Sequence, residues 1–311
     1  EADYHDGRHP SVVSFSTPEI DARRRDFTVN ALFFDPQSGQ VIDYVGGIED
    51  LHRRRLRTVG EAKERFAEDR LRLLRTIRFA NQLGFSVDLN TWQAVCLMAD
   101  QVTSVSRERI REELLKLFNR GPFLRGLDFL QDSGLLAVLS KKLDRSWDHW
   151  RDGLSAWLPK GELAEDKVFL WFFLPLLLEG KWSPEFVAEF RLTNSEKNDL
   201  RDIQKLLAMV AVGKRTGELL DLMFSECVRD FFPVIARVRG QPSLVEILYD
   251  FQNRFPGGLK PLRFLSGDDL SEMLSGKKLG EVLREVWYMQ LEGSIRSREE
   301  ALRWVQRRMQ K

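Results

Sequence analysis

The stretch from Arg65 to Phe79 reads Arg-Phe-Ala-Glu-Asp-Arg-Leu-Arg-Leu-Leu-Arg-Thr-Ile-Arg-Phe, with two carboxylates and five arginines in fifteen residues. At about 100° per residue, Glu68, Arg72, Arg75 and Phe79 share one helix face, and Leu73, Ile77 and Ala80 share roughly the opposite one. One reading is a solvated helix carrying i,i+4 Glu–Arg pairs, which is what most charged helix faces are. A sharper reading asks what Asp69 and Arg72 recognise together. Cytosine presents an exocyclic amino donor beside the ring N3 acceptor, and adenine presents the same pair at N6 and N1. A carboxylate accepting from the amino group, next to an arginine donating to the ring nitrogen, suits both bases. Guanine and uracil present a carbonyl and an N–H there, so their polarity is mismatched. Each group left unpaired in a closed site costs about 1–3 kcal/mol. One protein template of this kind selects CTP and ATP without a nucleic-acid template. Arg75 and Arg78, on later turns, are placed to hold a triphosphate as guanidinium forks.

The element that must position these groups reads as one helix, Arg65 to Leu83, ended by Gly84. From about Gly46 onward the pattern stays helical. Ser106 begins another helix, Pro122 to Leu130 follows with Gly134 as its stop, and Ser183-Pro184-Glu185 and Asn194-Ser195-Glu196 are further starts. Breaks at Gly240-Gln-Pro242 and Phe255-Pro-Gly-Gly258 set off a C-terminal portion. Ahead of the helices, Ser11 to Phe15 reads as a strand. Thr17-Pro18-Glu19 supplies an N-cap, an N1 proline and an acidic first turn for a short helix through about Arg25. Val29 to Phe34 and Val41 to Tyr44 read as a hairpin around Asp35-Pro-Gln-Ser-Gly39.

Lys plus Arg number 48 against 47 for Asp plus Glu, so net charge identifies no partner and any nucleic-acid contact must rest on local concentration of positive charge. The 21 Phe and 8 Trp exclude wholesale disorder. Cys96 and Cys227 lie in apolar sequence and read as core thiols of a reducing compartment. The longest apolar run, Val168 to Leu178, is 11 residues with Pro175 inside it, too short for a membrane span of about 20 and suited to a buried helix or helix end. The four histidines, His5, His9, His52 and His149, form no metal-hydrolase pattern. Trp147, Trp150, Trp157 and Trp171 read as helical core in preference to a base-stacking platform. The basic ends, Arg53 to Arg57 and Arg303 to Lys311, are either solvated faces or phosphate contacts.

Five segments together resemble the class II tRNA nucleotidyltransferases (CCA-adding enzymes) and bacterial poly(A) polymerases. Glu68-Asp-Arg-Leu-Arg72 resembles the EDxxR nucleotide-selecting motif, and Arg24-Arg-Asp-Phe-Thr-Val-Asn-Ala31 resembles RRDxTxNA. Asp43-Tyr-Val-Gly-Gly-Ile-Glu-Asp-Leu51 is similar to DYxGGxxDL, Ser106 to Leu114 to SxERIxxEL, and Tyr4 to Pro10 to YxDxRxP. They stand in the family's order over residues 1 to about 140. Leu265 to Leu270 and Gln290 to Gly293 resemble the tail of CCA-adding enzymes.

The resemblance implies a mainly α protein. A partial α/β nucleotidyltransferase head with a small mixed sheet (1–45) would be followed by an elongated all-helical neck (46–140), body (141–258) and tRNA-binding tail (259–311). It assigns base selection to Asp69 and Arg72. Arg25, Arg75 and Arg78 would contact phosphates or sugar or brace the template, and Thr28 and Asn30 would order the head or position the ribose. Arg24, Asp26 and Glu68 would be supporting residues, while Arg109 and Glu112 would stabilise the neck helices. The implied activity is addition of C, C and A to the 3′ end of tRNA from CTP and ATP, in the cytoplasm and without a membrane. The same motifs also allow a poly(A) polymerase, an enzyme adding only CC or only A, or, outside the enzyme class, a non-catalytic RNA-binding protein. The family's Asp-x-Asp pair, which would hold Mg²⁺, occurs nowhere in these residues. The resemblance therefore places the metal carboxylates upstream of Glu1, with no catalytic residue in this chain, and the chain as given is expected not to catalyse by itself.

Overall fold

The computed structural model describes residues 17–158, 163–183, 189–212 and 217–310. The strand expected over Ser11 to Phe15, the Tyr4 to Pro10 segment with its two histidines, and the helix start at Pro184-Glu185 lie outside these residues. The chain divides into two compact units. Residues 1–176 and 181–192 form the first, and 177–180 and 193–311 the second.

In the first unit, α1 (Pro18–Arg24) starts as its sequence predicts. Thr17 accepts the Ile20 amide, Pro18 opens the helix, and acidic residues fill the first turn with basic ones in the last. A 3-10 turn, Thr28–Asn30, takes the first residues expected of the hairpin, which is then β1 (Leu32–Asp35) paired antiparallel with β2 (Gln40–Asp43), Phe33 opposite Ile42. After α2 (Gly47–His52), β3 (Arg55–Leu56) pairs in parallel with the later β4 (Ser86–Val87).

The single helix expected over Arg65 to Leu83 is two. α3 (Ala62–Glu68) ends at Asp69, whose backbone is extended (φ −144°, ψ 106°), and α4 (Leu71–Leu83) begins after it. The cause is the side chain of Asp69. Its carboxylate accepts the Leu71 amide at 3.1 Å, an aspartate's usual competition with the helical ladder for backbone N–H groups. Gly84, left-handed at φ 70°, stops α4 as expected.

α5 (Leu89–Leu97), α6 (Arg107–Asn119), α7 (Phe123–Asp132), α8 (Leu135–Leu139) and α9 (Lys141–Ser155) follow. Ser106 caps α6, and left-handed Gly134 separates α7 from α8. Leu73, Leu74, Ile77 and Ala80 of α4 are buried, as are Ile110, Leu114, Leu117 and Phe118 of α6, and these two helices form the main packing of the unit. Phe118 meets Phe123 at 4.5 Å and Phe172 at 5.3 Å, and Trp147 joins at 5.7 Å from Phe123 with its indole N–H on the Phe172 carbonyl. Trp147 and Trp171 are buried core residues, as expected, while Trp150 and Trp157 are partly exposed. The apolar run is α10 (Val168–Leu178), buried throughout. Cys227 is buried, but Cys96 is exposed. Thr91, Ala94 and Val95 set the inward face of α5 and turn the next residue to solvent.

The second unit holds α11 (Asn194–Val212), α12 (Gly217–Leu222), α13 (Glu226–Val238), α14 (Ser243–Arg254), α15 (Gly276–Glu292) and α16 (Arg298–Met309). Thr193 and Glu196 form a reciprocal capping box at the start of α11, at 3.2 and 2.6 Å. A separate core of Leu265, Leu270, Val282, Val286, Ile295, Ala301 and Val305 joins α15 to α16. Among the described residues no strand lies beyond Val87, so the chain is mainly helical with two small two-stranded sheets, in line with the expected class. No described helix is long and apolar enough to cross a membrane.

Candidate nucleotide-binding site

The site is built on a brace that begins at Asp43. Its carboxylate accepts four successive amides, Val45, Gly46 and Gly47 on one oxygen at 2.9–3.0 Å and Ile48 on the other at 2.9 Å, and so caps α2. Desolvation alone would raise its pKa, but these donors outweigh it and hold the carboxyl below its ordinary value of 3.8. Gly46 takes φ 81°, and a Cβ on Gly47 would stand 2.2 Å from the Thr28 carbonyl oxygen. The glycine pair thus lets α2 lie directly on the Thr28–Asn30 turn.

From α2, the fully buried Asp50 grips that turn. It accepts from the Thr28 hydroxyl at 2.7 Å, Arg55 Nε at 2.7 Å and Arg57 Nε at 2.8 Å. Burial pushes its carboxyl up, but the Thr28 and arginine donors prevail and its pKa is lowered. Arg55 and Arg57, from the basic stretch that sequence alone left open between solvent and phosphate, are therefore held in this brace. The Thr28 amide donates to Arg57 O at 3.0 Å and the Val59 amide to Asp26 O at 3.2 Å, stitching the turn to the strand segment beside it.

The brace presents Asp26, which is 8% exposed. One oxygen accepts the Phe27 amide at 2.9 Å and Asn30 Nδ2 at 3.1 Å, and the other accepts Arg75 Nε at 2.8 Å. Across from it lies the kink between α3 and α4. Arg72 donates to Glu68 at 2.7 Å, to the Arg65 carbonyl at 2.9 Å and to the Arg24 carbonyl at 3.3 Å, so Glu68 acts from behind as the anchor that aims Arg72. Arg109, in the first turn of α6, donates to Asp69 at 3.0 Å.

Arg24, Arg25, Asp26, Asn30, Asp69, Leu71, Arg72, Arg75, Phe79 and Arg109 line one open cavity of about 580 Å³. Five arginines against two aspartates make it strongly positive, the chemistry of a site for a polyanion with one carboxylate left to accept from it. Thr28 stays in the brace. Arg78 is elsewhere. It is 7% exposed, stacks 3.9 Å from the Phe79 ring and pairs with buried Glu113 at 2.6 Å, so its guanidinium holds α4 to α6 and does not line the cavity. The carboxylate that braces α4 against α6 is this Glu113. The Glu112 expected in that role is exposed, 3.9 Å from Lys116. A finer reading of α6 would have found it, because residue 113 lies i+3 from the buried Ile110 and residue 112 does not. Asp43 and Asp50 also went unassigned from sequence. The Asp-x-x-Gly-Gly spacing after a strand is the signal for the first; the second is the later aspartate of the segment similar to DYxGGxxDL, whose lettering does not reveal its partners Thr28, Arg55 and Arg57.

Comparison with known proteins adds to the geometry. The model of the Poly A polymerase head domain matches residues 1–57, and that of the Probable RNA and SrmB- binding site of polymerase A matches residues 84–146. A CCA-adding enzyme of Lactobacillus delbrueckii subsp. bulgaricus is 30% identical over 97% of this chain and 76% of its own length. The chain belongs to the CCA-adding enzyme family. The CCA-adding enzyme of Geobacillus stearothermophilus is 45% identical over 45% of this chain, a match that spans 34% of that enzyme. The crystal structure of the Bacillus stearothermophilus CCA-adding enzyme in complex with CTP superposes with a TM-score of 0.75 at 30% identity, over 96% of this chain and 76% of that one. A Thermotoga maritima CCA-adding enzyme complexed with tRNA, 23% identical with a TM-score of 0.63 over 94% of this chain and 74% of that one, shares the fold. Asp69 and Arg72 fall between the two matched family domains, so the site's assignment in this CCA-adding relative stands on its own geometry.

Proposed function

We propose that this chain selects CTP and ATP at the cavity between Asp26, Asp69 and Arg109, for template-independent addition of C, C and A to the 3′ end of tRNA. The observation that carries the reading is the pairing of an acceptor and a donor at the α3–α4 kink. Asp69 is released from the helix by its own capping bond, and Arg72 is aimed by Glu68. Those two polarities match the amino group and ring nitrogen shared by cytosine and adenine. Arg24 and Arg25 are exposed at the rim and suit the triphosphate. Arg75 is occupied by Asp26, so we assign it to bracing the wall. In the transfer itself, the primer 3′-oxygen forms a bond to the α-phosphorus and pyrophosphate leaves.

A divalent metal supplies charge neutralisation in such transfers. The described residues do not fit one, since they contain no cluster of three or more metal-ligating side chains and Asp26, Asp50 and Asp69 each face an arginine. No step through a metal is assigned to them, and Mg²⁺ would be held by carboxylates outside these residues. The reading assigns 1–45 to the head, 46–140 to the neck with the pocket, 141–258 to the body and 259–311 to a tRNA-contacting tail, in a cytoplasmic protein.

The test is incorporation by the full-length protein with Mg²⁺, labelled CTP or ATP, and tRNAs lacking CCA, CA or A. Addition of C, C and A followed by arrest is expected. Long A tails would move the reading to a poly(A) polymerase, and partial addition to a CC- or A-adding enzyme. No incorporation by folded protein would leave only RNA binding.

A further inference from the structure

We infer that Arg109 is a specificity-determining positioning residue, one that fixes the carboxylate of Asp69 so that it accepts from an amino group and cannot turn away from a carbonyl. The inference rests on reading the cavity as a nucleotide site. Asp69 stands in extended backbone between two helices. Two contacts restrain its side chain. The Leu71 amide holds Oδ1 at 3.1 Å, and Arg109 Nη2 straddles both oxygens, 3.0 Å from Oδ2 and 3.3 Å from Oδ1.

Arg109 is in turn held by its helix. One turn on, Glu113 is locked to the buried Arg78 at 2.6 Å, which fixes α6 against α4 and so sets where the backbone of Arg109 stands relative to Asp69. The Asp69–Arg109 pair itself opens on the cavity, with the arginine side chain 51% exposed, where an ion pair contributes little to folding. Its consequence is therefore felt by what enters. A base with an exocyclic amino group donates to a lone pair of Asp69 that Arg109 leaves open. A uracil or guanine brings a carbonyl oxygen against the same acceptor, and the carboxylate, clamped at both oxygens, cannot rotate to relieve the repulsion. Remove the clamp and the carboxylate swings aside, so the wrong bases gain what the right ones lose.

The experiment is calorimetric titration of full-length protein with CTP, ATP, UTP and GTP in Mg²⁺, for wild type, Arg109→Gln, Arg109→Lys, Asp69→Asn and the Arg109→Gln/Asp69→Asn double variant. Arg109→Gln is expected to reduce the preference for CTP over UTP about tenfold, with UTP binding held or improved. Arg109→Lys keeps a donor on a flexible stem and should fall between. In the Asp69→Asn background the substitution at 109 should have no further effect on the ratio, because it acts through Asp69. An equal fall for all four nucleotides would make Arg109 a phosphate contact and overturn the inference, as would an unchanged ratio. If Asp69→Asn also leaves the ratio unchanged, the site reading itself fails. If Asp69→Asn abolishes the preference and Arg109→Gln does not, only the role of Arg109 fails. Unchanged melting temperatures confirm that each variant is folded.

Discussion

Two ion pairs join α4 and its preceding kink to α6, and they differ in almost everything except composition. At the inner rung, Arg78 and Glu113 are 7% and 4% exposed and 2.6 Å apart. At the outer rung, Asp69 and Arg109 are 34% and 51% exposed and 3.0 Å apart. The polarity is reversed between them, with the base on α4 inside and on α6 outside. Burial decides what each can do. The inner pair is sealed away from any ligand. Removing Glu113 leaves the buried Arg78 charge uncompensated, and removing Arg78 leaves Glu113 with Lys116 at 3.4 Å. The outer pair is screened by water, adds little to stability and keeps its acceptor within reach of a ligand. The sequence shows neither difference, because each pair is an arginine and an acid that stand 35 or 40 residues apart.

The contrast can be broken from its strong end first. Arg78→Met, or Glu113→Gln, should cost about 3–5 kcal/mol in unfolding free energy, as loss of one member of a buried pair does, measured by urea titration. A loss under about 1 kcal/mol would make the inner rung no different from the outer. Gly47→Ala drives a Cβ to within 2.2 Å of the Thr28 carbonyl, and the displacement of α2 from the turn should cost about 1–3 kcal/mol and weaken CTP binding with it. Unchanged stability and binding would show that the brace under Asp26 is not rigid.

Acid should weaken the brace in a defined direction. The carboxyl of Asp50 is lowered from 3.8, so its contribution is present above that pH and is lost as the pH falls through the lower folded value. The stability difference between wild type and Asp50→Asn should therefore shrink as unfolding is measured from pH 6 down towards pH 3. A difference that grows on acidification contradicts the assignment. The smallest effect is expected at the outer rung, where Arg109→Gln should change unfolding free energy by less than about 1 kcal/mol.

Much of the scaffold was legible because it is written locally. The Thr17-Pro18 start, the Ser106 cap, the glycine stops at Gly84 and Gly134 and the hairpin around Asp35 all follow from a few adjacent residues, and the motif order placed Asp69 and Arg72 in one site. What escaped is long-range or depends on burial. A 3.6-residue pattern continues through Asp69 because Leu71, Leu73 and Leu74 follow it directly, so the periodicity hides a break made by one side chain capping the next helix. Arg78 has the same spacing from the motif as a phosphate ligand would, and only the packing of α6 over it reveals the buried partner 35 residues on. Asp50 reaches Thr28 across 22 residues, and Arg57 beside them is indistinguishable in sequence from a solvated basic run.

The central claim is that Asp69 and Arg72 read the base edge, and a crystal structure of the full-length protein with CTP tests it most directly. The account predicts the cytosine amino nitrogen within about 3.2 Å of an Asp69 oxygen and an Arg72 nitrogen within the same distance of N3. A well-ordered CTP whose base edge faces neither residue, with Arg72 still turned to the Glu68 carboxylate, would contradict it.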